Sequence, residues 1–300
     1  MESKKIAFFE IEDWQKAYLR KYLNDHKLKF FKEALSHENV DEVKDYDVVC
    51  VFIYSKLDKS ILEKFTDLEL ICTMSTGFDH IDLEECKKRD IRICNVPFYG
   101  ENTVAEHTFA LILALSRNIH KTYVRTINKD FSLEGLRGFD LKNKILGVIG
   151  AGRIGLHVIR MAKGFGMKVL AYDIEKDEFI ADILGFDYVD LDELLKKSDV
   201  ISLHAPLNEK TYHLINKENI GKIKKGAILV NTSRGGLVDT EALIQALDKG
   251  ILSGAGLDVL EGEALLKEDR QFAYDDHPKE KLLDVIRTYN LLERENVVIT

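Results

Sequence analysis

The stretch ILGVIGAGRIG at 145–155 constrains this chain more than any other feature. It reads as a buried strand, Ile145 to Ile149, that turns through Gly150, Gly152 and Gly155 into a helix. In such a turn the first glycine permits the tight bend and the second lets the backbone approach a pyrophosphate. The third lets the helix lie close on the sheet. The helix N-terminus, with unpaired N–H groups and the positive end of its dipole, then faces the phosphates. A second apolar run, KVLAYD, ends on Asp173, eighteen residues after Gly155. An acid there can accept hydrogen bonds from a ribose diol and repels the additional phosphate of NADP, so the pattern predicts NAD as cofactor, with Arg153 and Ile154 beside the pyrophosphate.

Composition limits the alternatives. Three hundred residues suffice for two domains, and 45% hydrophobic with 31% charged residues describes a globular chain. A net charge of −8 disfavours nucleic acid and anionic membrane surfaces as partners, and no stretch is long enough to span a bilayer. The four cysteines, Cys50, Cys72, Cys86 and Cys94, have no metal-ligand spacing, and a reducing cytoplasm is the expected compartment. An anionic substrate would need local positive charge, which singles out individual arginines.

Strands are expected at Ile6–Phe9, Asp47–Ile53, Leu68–Thr73 and Ile91–Asn95, with helices at Glu12–Leu23, Lys59–Phe65 and Leu83–Lys88. Residues 102–118 read as a buried helix opened by an Asn102 cap. From Ile145 the alternation resumes, with strands at Ile145–Ile149, Lys168–Tyr172, Val200–Leu203, Ala227–Asn231 and Gly254–Leu257. Residues 262–295 read as a charged, helix-prone excursion before a last strand, Asn296–Thr300. Alternation of this kind gives an α/β chain with two doubly wound parallel sheets. The aromatic cluster Phe8, Phe9, Trp14 and Tyr18 is expected to be core.

Later motifs narrow the reading. STGFDHID (75–82), NTVAEHTFALILALSR (102–117), SLHAPL (202–207), VNTSRGGLVD (230–239) and GAGLDVLEGE (254–263) occur in this order around the glycine turn. With them the chain closely resembles the NAD-dependent D-2-hydroxyacid dehydrogenases, and within them the D-lactate dehydrogenase branch. The resemblance implies a flavodoxin-like substrate domain over 1–100, a Rossmann dinucleotide-binding domain over 101–295, and the start of a return segment at 296–300, with the site in the cleft between the domains. It assigns Arg234 to the substrate carboxylate and to polarising its carbonyl, a task suited to a permanently charged planar fork. It assigns Glu263 to a place behind a catalytic histidine, and the backbone amides of Ser75, Thr76 and Gly77 to the same substrate carboxylate. Ala205, Pro206 and Thr211 would line the adenine side, while Thr232, Ser233, Arg234 and Asp258 would lie near the nicotinamide.

Two departures accompany the resemblance. The family's acid–base histidine follows the last strand in a Pro-His pair, and this sequence ends at Thr300, ahead of it. Absence of that acid implies a rate about a hundred- to ten-thousandfold lower. His80 and His107 are expected to be structural, His204 to end a strand, and His277 to be a surface residue. Met74 stands where many family members carry arginine. The expected activity interconverts a small 2-keto acid and a D-2-hydroxy acid, with pyruvate and D-lactate first, and hydroxypyruvate or glyoxylate reduction and phosphoglycerate oxidation as alternatives. From another class, an NAD-sensing binding protein on the same scaffold is the rival. A homodimer is expected, with the apolar helix at 102–118 compatible with that role.

Overall fold

A computed structural model of the chain describes residues 3–261 and 279–300. The chain divides into two compact units, 1–100 and 101–300.

The first unit contains β1 (Lys5–Phe8), α1 (Asp13–Tyr22), β2 (Lys27–Phe30), β3 (Val48–Val51), α2 (Lys59–Leu62), β4 (Leu70–Thr73), α3 (Leu83–Lys88) and β5 (Arg92–Cys94). All five strands are parallel in the order β2-β1-β3-β4-β5, the flavodoxin-like winding. Its inner residues, among them Phe9, Val49, Leu62 and Ile71, are fully buried, as parallel strands covered on both faces require. β2 was not expected from the sequence. It is an edge strand reading KLKF, and its lysines keep the open edge from pairing with another chain. The aromatic expectation divides. Phe8 and Phe9 are core, whereas Trp14 and Tyr18 lie exposed on α1 beside Tyr22, because the 3.6-residue period puts positions 14, 18 and 22 on its outer face.

The second unit contains α4 (Glu101–Ser116), α5 (Ile119–Ile127), β6 (Ile145–Ile149), α6 (Arg153–Gly164), β7 (Lys168–Tyr172), α7 (Glu178–Leu184), β8 (Asp187–Tyr188), α8 (Leu191–Lys197), β9 (Val200–Leu203), β10 (Ala227–Asn231), α9 (Thr240–Asp248), β11 (Leu252–Leu257), α10 (Lys279–Leu292) and β12 (Val297–Ile299). Its seven strands are parallel in the order β12-β11-β10-β9-β6-β7-β8. The order reverses between β6 and β9, which opens a crevice at the carboxyl ends of those strands. α4 is buried through Ala105, Phe109, Leu111, Ile112 and Leu115. It begins at Glu101, so Asn102 lies within its first turn rather than at the cap. Residues Val297–Ile299 extend the sheet beside β11.

Candidate functional site

The glycine turn takes the shape its spacing predicts. Gly150 has φ +95°, a left-handed backbone that glycine adopts without penalty, and a β-carbon there would meet the Ala205 nitrogen at 2.6 Å. A β-carbon on Gly155 would run into the carbonyl oxygen of Gly150, so the helix can approach the strand only with glycine at that position. Gly152 has open space where its β-carbon would be and is exposed to solvent. It caps α6, whose first amides receive no acceptor from the cap side chain. Arg153 opens the helix and pairs with Glu101 at 3.6 Å, while Ile154 is half-buried behind it.

Asp173 follows β7 and reaches back to the turn. One carboxylate oxygen accepts the Ala151 amide at 2.7 Å and the other accepts the Glu175 amide at 3.0 Å. The residue after it, Ile174, is 86% exposed. Its exposure was not legible from the sequence. An open approach at Gly152, an uncapped helix N-terminus and a carboxylate at the end of the next strand together fit a dinucleotide.

The crevice is bounded opposite by the turn after β9. Ala205 lies against Gly150, and the Thr211 hydroxyl donates to the Pro206 carbonyl at 2.6 Å, closing that turn. His204 follows β9 with Nε2 at 2.8 Å from the Ser202 hydroxyl, and its Nδ1 is buried without a partner among the described residues. Burial lowers its pKa to about 3, so the ring is neutral.

Arg234 follows β10. Its backbone carbonyl accepts the Asn231 side-chain amide at 2.9 Å, and its guanidinium donates to the Ser233 carbonyl at 2.9 Å. The Ser233 hydroxyl donates to the Ala205 carbonyl at 2.7 Å, which ties the β9 and β10 turns together. Thr232 is buried, its hydroxyl 2.9 Å from that of Thr108 on α4. Asp258 follows β11, donates its amide to the Asn231 carbonyl, and accepts the Thr300 hydroxyl at 3.0 Å. His107 stands 3.3 Å from the same carboxylate and 2.9 Å from the Thr300 hydroxyl. Glycine turn, Asp173, Ala205, Thr232, Ser233, Arg234 and Asp258 thus meet at the carboxyl ends of β6, β7, β9, β10 and β11. Glu263 and His277 lie outside the described residues.

In the first unit the turn at 75–77 follows β4. The Ser75 hydroxyl donates to the Gly77 carbonyl at 2.6 Å and stands 2.6 Å from the Thr73 hydroxyl, and Thr76 donates to the Val96 carbonyl at 3.0 Å. The hydroxyls serve the turn itself. Sequence reading missed Glu10, where β1 and β3 diverge. Its φ of +59° is unusual for a side chain of this size, and its carboxylate accepts the amides of Phe52, Tyr54 and Ser55 at 2.8–3.2 Å. A cavity of about 690 Å³ opens beside it, lined by Trp14, Lys32, Phe52 and Tyr54.

Residues 109–300 match the family model of the D-isomer specific 2-hydroxyacid dehydrogenase, NAD binding domain. A 2-hydroxyacid dehydrogenase homolog of Haemophilus influenzae is 39% identical over 302 residues, covering 99% of this chain and 88% of that one. The D-lactate dehydrogenase of Escherichia coli is 37% identical over 271 residues, covering 89% of this chain and 82% of that one. Among solved structures, the D-lactate dehydrogenase of Aquifex aeolicus complexed with NAD and lactic acid superposes with a TM-score of 0.90. It is 40% identical, with 98% of this chain and 87% of that one covered.

Proposed function

The chain belongs to the D-isomer-specific 2-hydroxyacid dehydrogenases, and from that premise we infer that it reduces pyruvate to D-lactate with NADH and catalyses the reverse oxidation. The observation that carries this reading is the convergence of the glycine turn, Asp173 and Arg234 at one edge of one sheet. Bound NADH supplies the hydride that adds to the keto carbon. The residues of the chain bind and orient. Gly152 and the first amides of α6 take the pyrophosphate, Asp173 the ribose diol, and Ala205, Pro206 and Thr211 flank the adenine side. Thr232, Ser233 and Asp258 border the nicotinamide. Arg234 pairs with the substrate carboxylate and draws electron density from the adjacent carbonyl, so the carbon becomes a better hydride acceptor. The resemblance assigns the amides of Ser75, Thr76 and Gly77 to the carboxylate as well, and it assigns Glu263 to orienting the histidine that the family carries in a Pro-His pair after the last strand, which would give the carbonyl oxygen its proton as the hydride reaches the carbon. Residues 1–100 act as the substrate domain.

Four unpaired cysteines support a reducing compartment, the cytoplasm. A homodimer is supported by apolar side chains standing in water on α5 and just beyond it: Tyr123, Val124, Ile127, Phe131 and Leu133. α4 is buried in the unit through Ala105, Phe109, Leu111, Ile112 and Leu115. No helix among the described residues is long and apolar enough to cross a membrane.

Arg234→Ala tests the reading. NADH should bind with an affinity within about threefold of the unaltered protein. Binding of oxamate, a pyruvate isostere, to the NADH complex should weaken by about a hundredfold, the scale of a lost charge-assisted pair. Equal oxamate affinity in calorimetry of the two proteins removes Arg234 from the substrate site.

A further inference from the structure

Glu261 lies between Asp258 and Glu263, in a segment to which the family resemblance assigns no role for it, and its carboxylate joins two separate segments of the second unit to its own. It accepts the hydroxyl and the amide of Thr240, at the start of α9, at 2.8 and 3.3 Å. Its other oxygen stands 2.6 Å from the His213 ring nitrogen and 3.3 Å from the Tyr212 hydroxyl. The Tyr212 and His213 rings stack, with centroids 4.0 Å apart. His213 has φ +51°, an unfavourable backbone for a side chain of this size, so the surrounding contacts hold it there.

The 213–215 segment and the 260–261 backbone both abut the turn that carries Arg234. The amide of His213 donates to the Gly236 carbonyl at 2.8 Å, and that of Ile215 to the Leu237 carbonyl at 3.0 Å. A β-carbon on Gly235 would collide with the backbone of Leu260 and Glu261, so residue 235 lies directly against the 260–261 backbone. The backbone of Arg234 is therefore pinned on one side by Asn231 and on the other by whatever fixes Glu261. The carboxylate, whose hydrogen bonds run to Tyr212, His213 and Thr240 in other segments, is the group that fixes it.

We propose that Glu261 and His213 are a positioning pair for Arg234: their hydrogen bond clamps the 211–215 and 260–261 segments around Gly235 and Gly236, and so sets where the guanidinium meets the carboxylate of the 2-keto acid. Neither residue touches substrate. The pair acts through the backbone on either side of the arginine, and it rests on the reading of Arg234 given above. Misplacement of a binding group by about 1 Å costs on the order of a hundredfold in a bound, reacting geometry. The consequence falls chiefly on the substrate, because the glycine turn and Asp173 sit on β6 and β7, and of the residues assigned to the adenine side only Thr211 belongs to the clamped segments.

The experiment measures NADH affinity and then oxamate affinity of the NADH complex, by calorimetry, for Glu261→Ala, Glu261→Gln and His213→Phe. Glu261→Ala should weaken oxamate by about ten- to a hundredfold while NADH stays within about threefold. Glu261→Gln can still accept from Thr240 and donate to the ring nitrogen of His213, and should recover to within about threefold. His213→Phe keeps a flat ring against Tyr212 without the bond and should fall between the two; it decides the matter alone should Glu261→Ala not fold. Oxamate affinities that stay within threefold in both Glu261→Ala and His213→Phe overturn the pair. So does an NADH affinity that falls in step with oxamate, which marks a purely structural role. An unaltered protein that binds NADH but no oxamate overturns the functional reading itself, which distinguishes the two failures.

Discussion

Asp173 carries two loads. Besides the ribose diol proposed for it, it accepts the Ala151 amide inside the glycine turn, so it also holds the turn's shape. Aspartate suits both tasks because its two oxygens accept from different directions. Asp173→Ala should lower the ratio of kcat/KM for NADH over NADPH by at least about tenfold, since the repulsion of the additional phosphate and a charge-assisted hydrogen bond disappear together. Steady-state kinetics with both coenzymes checks this, and an unchanged ratio removes the aspartate from coenzyme selection. The carboxylate's place at the strand end was legible in the sequence. Its bond to the turn was not, because that depends on how far β7 runs beside β6. The neutral state of His204 is likewise a product of burial, which no local pattern announces.

At the scale of the element, β6, the glycine turn and α6 form a unit whose glycines have separable duties. Gly155 is buried and its β-carbon position is filled by the Gly150 carbonyl. Gly155→Ala should cost about 1–3 kcal/mol of stability by overpacking and weaken coenzyme binding as the turn opens. Gly152→Ala meets open space, at φ −72°, and should leave the melting temperature nearly unchanged while weakening NADH binding, because the methyl group stands where the phosphates approach. Thermal denaturation with coenzyme titration checks the contrast, and equal loss of stability in both variants contradicts it. Long apolar runs such as Ile145–Ile149 and Val200–Leu203 declare themselves because both faces are buried. β2 and β8, short edge strands bearing Lys27, Lys29 and Asp187, do not, since their pairing is supplied by the neighbouring strand rather than by their own pattern.

Across the described residues, apolar side chains divide between buried clusters in each unit and exposed faces, among them those of α1 and α5. α4 and α5 are consecutive helices with opposite fates. The first is wedged against β10, β11 and α6, and the second presents Tyr123, Val124 and Ile127 to solvent. In the proposed homodimer a second copy would cover that face, and homodimers are built on such self-complementary patches. The paired change Val124→Glu with Ile127→Glu should convert a dimer to a monomer in sedimentation velocity and lower the melting temperature at a given protein concentration. An unaltered chain that sediments as a monomer at micromolar concentration removes the dimer.

The sequence by itself determined the two parallel-sheet units, the strand-to-helix turn with its glycines, and the placement of Asp173 and Arg234 at strand ends. These are written in local periodicity and in the conformational demands of single residues, which act over a few positions. Only the tertiary structure decided which apolar helix is core and which faces water, that Trp14 and Tyr18 lie outside, that Glu10 anchors the loop after β3, and that Glu261 reaches His213 across 48 positions. Those outcomes depend on segments distant in the chain arriving side by side, and hydrogen bonds between side chains carry no periodic trace that a linear pattern could reveal.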